Sequence, residues 1–179
     1  MIKQLILLTL FIFVYACLNA QKGNNGLSIN GEVTVPFYQN DQGFGFFMKG
    51  LYGIGKSAQL TASIGVSKFK NRNSIESKEV KTRLIPFLVG YQQNIRKFYI
   101  EPKIGIGEMG GRILSDGDYA RPSVVAVFGG LGAGYRIKRF NAGISFLTAH
   151  GIDKPSAGLW YNENFHYTSL YIGYDLFSK

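Results

Sequence analysis

Residues 26–37 alternate between apolar and polar side chains almost without a break. The apolar set is Leu27, Ile29, Val33, Val35 and Phe37, and the polar set is Ser28, Asn30, Glu32 and Thr34. Successive side chains of a β-strand point to opposite faces, so this pattern predicts a strand with one apolar and one polar side. Similar segments recur down the chain, and together they favour a small barrel.

The first 20 residues have the organisation of an export signal. Lys3 supplies a positive start, residues 5–15 are apolar apart from Thr9, and Ala20 is the small residue expected before a cleavage site. The apolar run is too short to span a bilayer as a helix. We therefore expect a signal peptide at 1–20 and one mature domain at 21–179.

Cys17 leaves a second interpretation open, because residues 14–17 loosely resemble a lipoprotein signal. Cleavage after Ala20 would instead remove this cysteine, which is the only one in the chain. Disulfides, thiolate metal sites and cysteine nucleophiles would then be excluded from the mature protein.

The formal net charge of +9 indicates affinity for anionic lipid headgroups or for nucleic acid. An exported chain seldom meets nucleic acid, and the cations are not gathered into a basic helix. We therefore expect contacts with outer-membrane lipid and no nucleic-acid partner.

Eight candidate strands follow the signal, and each is long enough to cross a bilayer at a tilt. They cover residues 26–37, 43–54, 57–69, 79–92, 96–107, 122–135, 139–148 and 165–177. Tight turns at 55–56, 93–95 and 136–138 alternate with longer connections at 71–78, 108–121 and 149–164, and the short connection 38–42 falls on the long-loop side. Outer-membrane barrels place tight turns at the periplasmic rim and longer loops outside. This asymmetry predicts that both termini lie in the periplasm.

Alternation assigns the two faces of each strand. Outward sets include Phe44, Phe46, Met48 and Tyr52; Leu60, Ala62, Ile64 and Val66; Phe98, Ile100, Ile104 and Ile106; and Phe140, Ala142, Ile144 and Phe146. A soluble barrel would reverse the facing, so periodicity alone does not choose between lipid-facing and lumen-facing apolar residues. The export signal, the loop lengths and the aromatic residues near both rims favour lipid on the outside.

The fourth strand is harder to orient. Residues 84–89 are continuously apolar, so alternation does not give their facing. Pro86 and Pro102 fall inside strands, where a barrel has no edge to accommodate them. A hairpin centred on Asn94 would place these prolines opposite each other on one face, at a paired irregularity.

These features resemble the small eight-stranded outer-membrane barrels, such as outer-membrane protein X and the membrane domain of outer-membrane protein A. The resemblance covers nearly the whole mature chain and is architectural. It implies an all-β, antiparallel, up-and-down eight-stranded transmembrane β-barrel that is a monomer in the outer membrane. Residues 171–177 resemble the terminal pattern read by the barrel-assembly machinery, although Ser178 and Lys179 replace the usual terminal aromatic. The signal ending resembles exported proteins of Bacteroidota.

The lumen of such a barrel is just wide enough to be filled by side chains, so a diffusive pore is not expected. The charged residues assigned to the lumen are Glu32, Lys49, Lys81, Arg83, Glu101 and Lys103. Confined charges must pair or keep water, so we expect a salt-bridged interior in preference to an ion pathway. Gly130, Gly132 and Gly134 are expected to line the interior of the sixth strand and to make room for larger neighbours such as Tyr99.

Residues with binding chemistry gather in the longer loops. The candidate contacts are Tyr119, Arg121, His150, Asp153, Trp160 and Tyr161. His150 and His166, with Asp153, Glu163, Ser156 and Ser169 nearby, leave a lipid-modifying enzyme open, but they show no catalytic spacing and form a weak metal site. We expect no cofactor, no metal and no enzymatic activity.

The function favoured by the sequence is a structural or surface-interaction role, in which the outer loops contact an extracellular or envelope partner. The alternatives are a narrow transport pore, a lipid-modifying outer-membrane enzyme and a soluble periplasmic ligand-binding barrel.

Overall fold

The computed structural model describes residues 25–37, 42–73, 78–114, 119–152 and 164–178, and it describes the backbone alone at 71–73, 78–81, 111–114, 119–122 and 178. The chain forms the strands β1 (Gly26–Pro36), β2 (Gly43–Gly53), β3 (Ala58–Asn73), β4 (Lys78–Ile95), β5 (Phe98–Leu114), β6 (Tyr119–Ile137), β7 (Phe140–Gly151) and β8 (Asn164–Ser178). Each strand pairs antiparallel with the next, and β1 pairs with β8 to close the sheet. The predicted eight-stranded up-and-down barrel is confirmed.

The turns lie at 54–57, 96–97 and 138–139. Arg96 and Lys138 have φ values of 59° and 53°, in the left-handed region that two-residue hairpins require. The predicted turns at 93–95 and 136–138 are therefore misplaced. Residues 93–95 continue β4, because they pair with Phe98, Tyr99 and Ile100 of β5. The side chain of Asn94 accepts a hydrogen bond from Gln92 Nε2 at 2.8 Å and donates one to Gln59 Oε1 at 3.2 Å.

The outer face carries an apolar belt that runs around all eight strands. Phe44, Ile64, Ile104 and Ile144 are 67%, 48%, 61% and 49% exposed and point away from the protein, as predicted. A continuous belt of large exposed apolar side chains is typical of a surface that faces lipid hydrocarbon. In the part of the chain described here, no helix is long and apolar enough to cross a membrane.

Aromatic pairs border this belt at the turn end. Phe98 packs against Tyr135 and Phe140 against Tyr174 in edge-to-face geometry, with ring centroids 4.8 and 5.1 Å apart. Both are directly opposed cross-strand pairs. Rings at this level suit the headgroup region of a bilayer.

At the loop end, Phe37 and Phe146 form a similar pair on the outside, with centroids 5.5 Å apart. The sequence also places Phe165 among the outward aromatic residues of this rim, because it lies near the start of the eighth predicted strand, and that prediction is wrong. It points into the barrel, where its ring lies 4.8 Å from that of Phe69.

The two prolines face opposite sides of the barrel sheet, because the hairpin turns at 96–97 and not at Asn94. Pro86 is buried inside and lies opposite Gly107, whereas Pro102 is exposed and lies opposite Leu131. The predicted pairing of the prolines is therefore wrong. Each still interrupts a ladder, since pairing is missing at Pro86 between β3 and β4 and at Pro102 between β4 and β5.

The four central strands continue beyond the rest of the loop-end rim. Their extension, which we call the wall, comprises residues 70–73, 78–81, 110–114 and 119–123. Lys70 pairs with Lys81, Lys81 with Arg112, and Arg112 with Ala120, so the extension is one hydrogen-bonded sheet. Among the described residues, β2 pairs with β3 only up to Phe69, and β7 pairs with β6 only from Ala126. Both outer strands of the wall therefore have a partner on one side only.

Candidate functional site

The turn half of the lumen is filled by hydrogen-bonded polar side chains. Lys49 Nζ lies 3.2 Å from Glu101 Oε2, and the two side chains are 8% and 5% exposed. Thr61 Oγ1 donates to Glu101 Oε1 at 2.7 Å, and Lys49 Nζ also donates to Gln92 Oε1 at 3.4 Å. Both oxygens of Glu101 are therefore satisfied, as a buried carboxylate requires.

Glu32 and Lys103 join this network from β1 and β5. Ser67 Oγ donates to Glu32 Oε1 at 2.7 Å, and Lys103 interacts electrostatically with both Glu32 and Glu101. The structure thus brings together four of the six charged residues that the sequence assigned to the lumen: Glu32, Lys49, Glu101 and Lys103.

Two tyrosines close the turn end of this network. The hydroxyl groups of Tyr99 and Tyr171 lie 2.8 Å apart. The Tyr99 ring has Lys49 Nζ at 5.4 Å and the Arg136 guanidinium at 5.7 Å from its centroid. Arg136 Nε in turn lies 3.4 Å from Asp175 Oδ2. These two cations interact with the ring of Tyr99 and help to fix its position in the lumen.

Glycines on β6 make the space that Tyr99 occupies. A Cβ added at Gly134 would lie 2.5 Å from Tyr99 Cζ and 2.6 Å from its hydroxyl oxygen. Gly132 is different, because a Cβ added there would lie 3.6 Å from Glu101 Oε2, at ordinary van der Waals distance. The predicted role of Gly134 toward Tyr99 is confirmed.

The loop half of the lumen is filled mainly by apolar side chains, which the alternation of the strands did not predict. We call this cluster the plug, and its members are Phe69, Leu84, Leu88, Met109, Val124, Ala126, Phe128, Leu147, Ala149 and Tyr167. None of these residues is more than 6% exposed. The uninterrupted apolar run at 84–89 was the signal that could have revealed it, because apolar residues there occupy both faces of β4.

A cavity of about 40 Å³ lies between the two halves. Glu32, Lys103 and Ser145 line it on the polar side, and Leu88 and Leu147 line it on the side of the plug. Such a volume holds about two or three water molecules. A cavity this small, enclosed between two filled halves, does not form a diffusive pore.

Arg83 was assigned to the lumen, and that prediction is wrong. Its side chain is 50% exposed on the outer face, with Nη2 2.7 Å from Glu108 Oε1. Ser123 Oγ donates to the same oxygen at 2.6 Å. The physical reason is the parity of β4: Leu84 and Leu88 point inward, so Arg83 must point outward. Lys81 lies opposite Lys70 in the register, and its side chain is outside the described part.

Two of the predicted loop contacts lie on strands. Tyr119 and Arg121 belong to β6, where they pair with Ile113 and Gly111, because β5 and β6 continue through most of the expected loop at 108–121. Their side chains are not among those described. Asp153, Trp160 and Tyr161 lie outside the described residues.

His150 also lies on a strand, not in a loop. It pairs with Asn164 across β7 and β8, and its Nδ1 lies 2.5 Å from Asn164 Oδ1. His166 stacks on Phe146 with ring centroids 6.4 Å apart. Within the described ranges, His, Cys, Asp and Glu side chains form no group of three or more that could hold a metal ion.

No protein-family model matches the sequence, and no curated protein matches it. Solved structures do match the fold. Ail, the attachment invasion locus protein of Yersinia pestis, aligns with a TM-score of 0.61 at 13% identity over 87% of this chain and 99% of Ail. The N-terminal β-barrel domain of Pseudomonas aeruginosa OprF aligns with a TM-score of 0.59 at 14% identity, covering 87% of this chain and 100% of that domain.

Neisserial surface protein A aligns with a TM-score of 0.59 at 12% identity, covering 85% of this chain and 97% of that protein. At such identities these alignments report the fold. The closed eight-stranded sheet, the apolar belt and these alignments lead to one conclusion: the chain has the fold of the small eight-stranded outer-membrane β-barrels.

Proposed function

We propose that this protein is a monomeric outer-membrane barrel that contacts an extracellular or envelope partner through the loop end of the barrel. The observation that carries this proposal is the wall, a four-stranded sheet that continues beyond the closed rim. A plugged lumen argues against transport as the main role. The binding surface is then the part of the molecule that extends out of the membrane.

The same proposal includes export and insertion of the chain into the outer membrane. Residues 1–20 direct export and are cleaved after Ala20, and the mature chain 21–179 is inserted by the barrel-assembly machinery. The apolar belt contacts outer-membrane lipid, and the tight turns at 54–57, 96–97 and 138–139 face the periplasm.

The wall suits partner binding for two physical reasons. Its sheet is held by the barrel beneath it, so its backbone loses little conformational freedom when a partner binds. Its outer strands, at 70–73 and 119–123, also have unpaired backbone groups on one side among the described residues, and such edges can pair with an extended segment of another chain. The ends of β1 and β7 and the starts of β2 and β8 lie at the same end of the barrel.

The structural neighbours suggest which class of partner to test first. Ail has been crystallised in complex with the heparin analogue sucrose octasulfate, and a second neighbour is a surface protein. The mature chain, without Lys3, has a formal net charge of +8, which suits a sulfated glycan. Immobilised heparin is therefore the first probe.

The experiment shortens the wall without changing the barrel. Residues 71–80 and 112–120 are each replaced by Asn-Gly, which joins the opposed pairs Lys70–Lys81 and Gly111–Arg121 through two-residue turns. Cells that display either chain are tested for attachment to heparin-coated and dextran-coated surfaces. We expect the shortened chain to lose attachment to heparin while it still migrates as a heat-modifiable folded barrel.

Two outcomes would contradict the proposal. Equal attachment by both chains would show that the wall is not the binding surface. A stable ionic conductance of the purified wild-type barrel in planar bilayers would favour the pore instead.

A further inference from the structure

Cationic residues lie directly opposite each other in the register of β3 and β4. Lys68 pairs with Arg83 in the register, and two residues farther along Lys70 pairs with Lys81. The side chains of Lys68, Lys70 and Arg83 are exposed. Like charges directly opposite in a sheet are destabilising, so this arrangement calls for a counter-charge.

Among the residues whose side chains the structure describes, Glu108 supplies one negative charge next to this cluster. Glu108 on β5 accepts from Arg83 at 2.7 Å and from Ser123 at 2.6 Å through the same oxygen. Among the described residues, neither Lys68 nor Lys70 forms an ion pair. Within that described part, the three cations Lys68, Lys70 and Arg83 face the single carboxylate of Glu108.

The cluster lies at the upper limit of the apolar belt. On β3 the outward residues Leu60, Ile64 and Val66 lead directly to Lys68 and Lys70. On β4 the outward residues Tyr91, Val89 and Phe87 lead through Ile85 to Arg83. Cations in this position lie at the level of lipid headgroups, where the common anion is phosphate.

We propose that Lys68, Lys70 and Arg83 form a binding site for the phosphate groups of a lipid in the outer leaflet. The two opposed pairs are about 7 Å apart along the strands, which suits a headgroup that carries more than one phosphate. The acyl chains of that lipid lie against the apolar residues below. This inference rests on the proposed insertion in the membrane.

The test uses the mature chain refolded in micelles of a zwitterionic detergent. Bis-phosphorylated lipid A is titrated into wild type and into the Lys68→Gln, Lys70→Gln double variant, with binding measured by calorimetry at low salt. Each lysine removed should weaken binding about fivefold, and added salt should reduce the difference. Lys56→Gln with Lys97→Gln makes the same charge change at exposed positions of the turn end and should leave binding unchanged.

A second variant changes binding in the opposite direction. Glu108→Gln removes the carboxylate that neutralises Arg83, so it should tighten binding about fivefold. This variant keeps the test decisive if the lysine variant does not refold.

The inference is overturned if the turn-end control weakens binding as much as the site variant does. It is also overturned if sucrose octasulfate or inorganic pyrophosphate at the same concentration displaces the lipid completely, because the site would then take free polyanions. A folded, heat-modifiable barrel that does not bind the lipid would refute this site alone, and the attachment assay on heparin would be unaffected.

Discussion

The two halves of the lumen are filled by opposite chemistry. In the turn half, Lys49, Thr61 and Glu101 satisfy one another through directed hydrogen bonds. In the loop half, residues such as Phe128 and Leu147 fill the same cross-section by apolar packing. Both halves exclude a diffusive channel, but different kinds of substitution should destabilise them.

The difference shows what each kind of filling requires. A buried polar network depends on every partner, because a charge left alone in the interior is strongly destabilising. An apolar cluster depends on volume, so it tolerates exchanges of similar size and not the removal of carbon atoms. Substitutions can therefore separate the two halves experimentally.

The largest effect is expected from Glu101→Ala in the turn half. This change leaves the ammonium of Lys49 buried without its carboxylate, which should lower the free energy of unfolding by about 3–5 kcal/mol. Urea unfolding of the barrel in lipid vesicles measures this loss.

The matched control removes both charges together. Lys49→Met combined with Glu101→Leu should recover most of the stability, since an apolar pair of similar volume replaces the ion pair. A loss below about 1 kcal/mol in the single variant would mean that water already solvates this half of the lumen.

The plug should respond to volume. Leu147 is 1% exposed and lines the cavity, so Leu147→Ala enlarges an existing space and should cost about 2–5 kcal/mol. Leu147→Met keeps the volume and should cost less than about 1.5 kcal/mol in the same unfolding assay. Equal losses in the two variants would show that shape, not volume, determines stability in the loop half.

A smaller effect is expected from Gly134→Ala. The new Cβ would meet the ring of Tyr99, which is buried and hydrogen-bonded to Tyr171, at a cost of about 1–3 kcal/mol. Gly129→Ala is the control, because its Cβ would meet only Thr148 at 3.9 Å and should change stability by no more than about 0.5 kcal/mol. If the two variants lost the same stability, the close contact with Tyr99 would not explain the cost of Gly134→Ala.

The outer face of this barrel could be predicted from the sequence because lipid imposes the same requirement at every outward position. Ile64, Ile104 and Ile144 each satisfy it independently of their neighbours, so alternation alone identified them. The contacts of the lumen depend on the register of strands that are far apart in sequence. Glu32 meets Ser67 at a separation of 35 residues, and Lys49 meets Glu101 at 52.

Two errors have the same origin. The plug places apolar residues on both faces of β4, so alternation disappeared there and Arg83 was assigned to the wrong side. In the wall, the strands continue beyond the level of the lipid, where an apolar outer face is no longer required. Residues 108–114 therefore show no alternating pattern, and they were interpreted as a loop. The strands of the wall are paired through their backbones, but they lack the alternation of apolar residues from which a strand is predicted.

The smallest effect is expected from the ion pair Arg83–Glu108 on the outer face, which extends the comparison from inside to outside. Arg83 and Glu108 approach to 2.7 Å, closer than Lys49 and Glu101 at 3.2 Å, but their side chains are 50% and 41% exposed. Solvent screening makes such a pair worth about 0.2–1 kcal/mol, so Arg83→Ala should lower the free energy of unfolding by no more than that. Unfolding is measured at low and at high salt. The difference in unfolding free energy between wild type and Arg83→Ala should be smaller at high salt, because salt screens exposed pairs. If Arg83→Ala destabilised the barrel as much as Glu101→Ala, burial would not be what distinguishes the two pairs, and the contrast between the filled lumen and the solvated outer rim would fail.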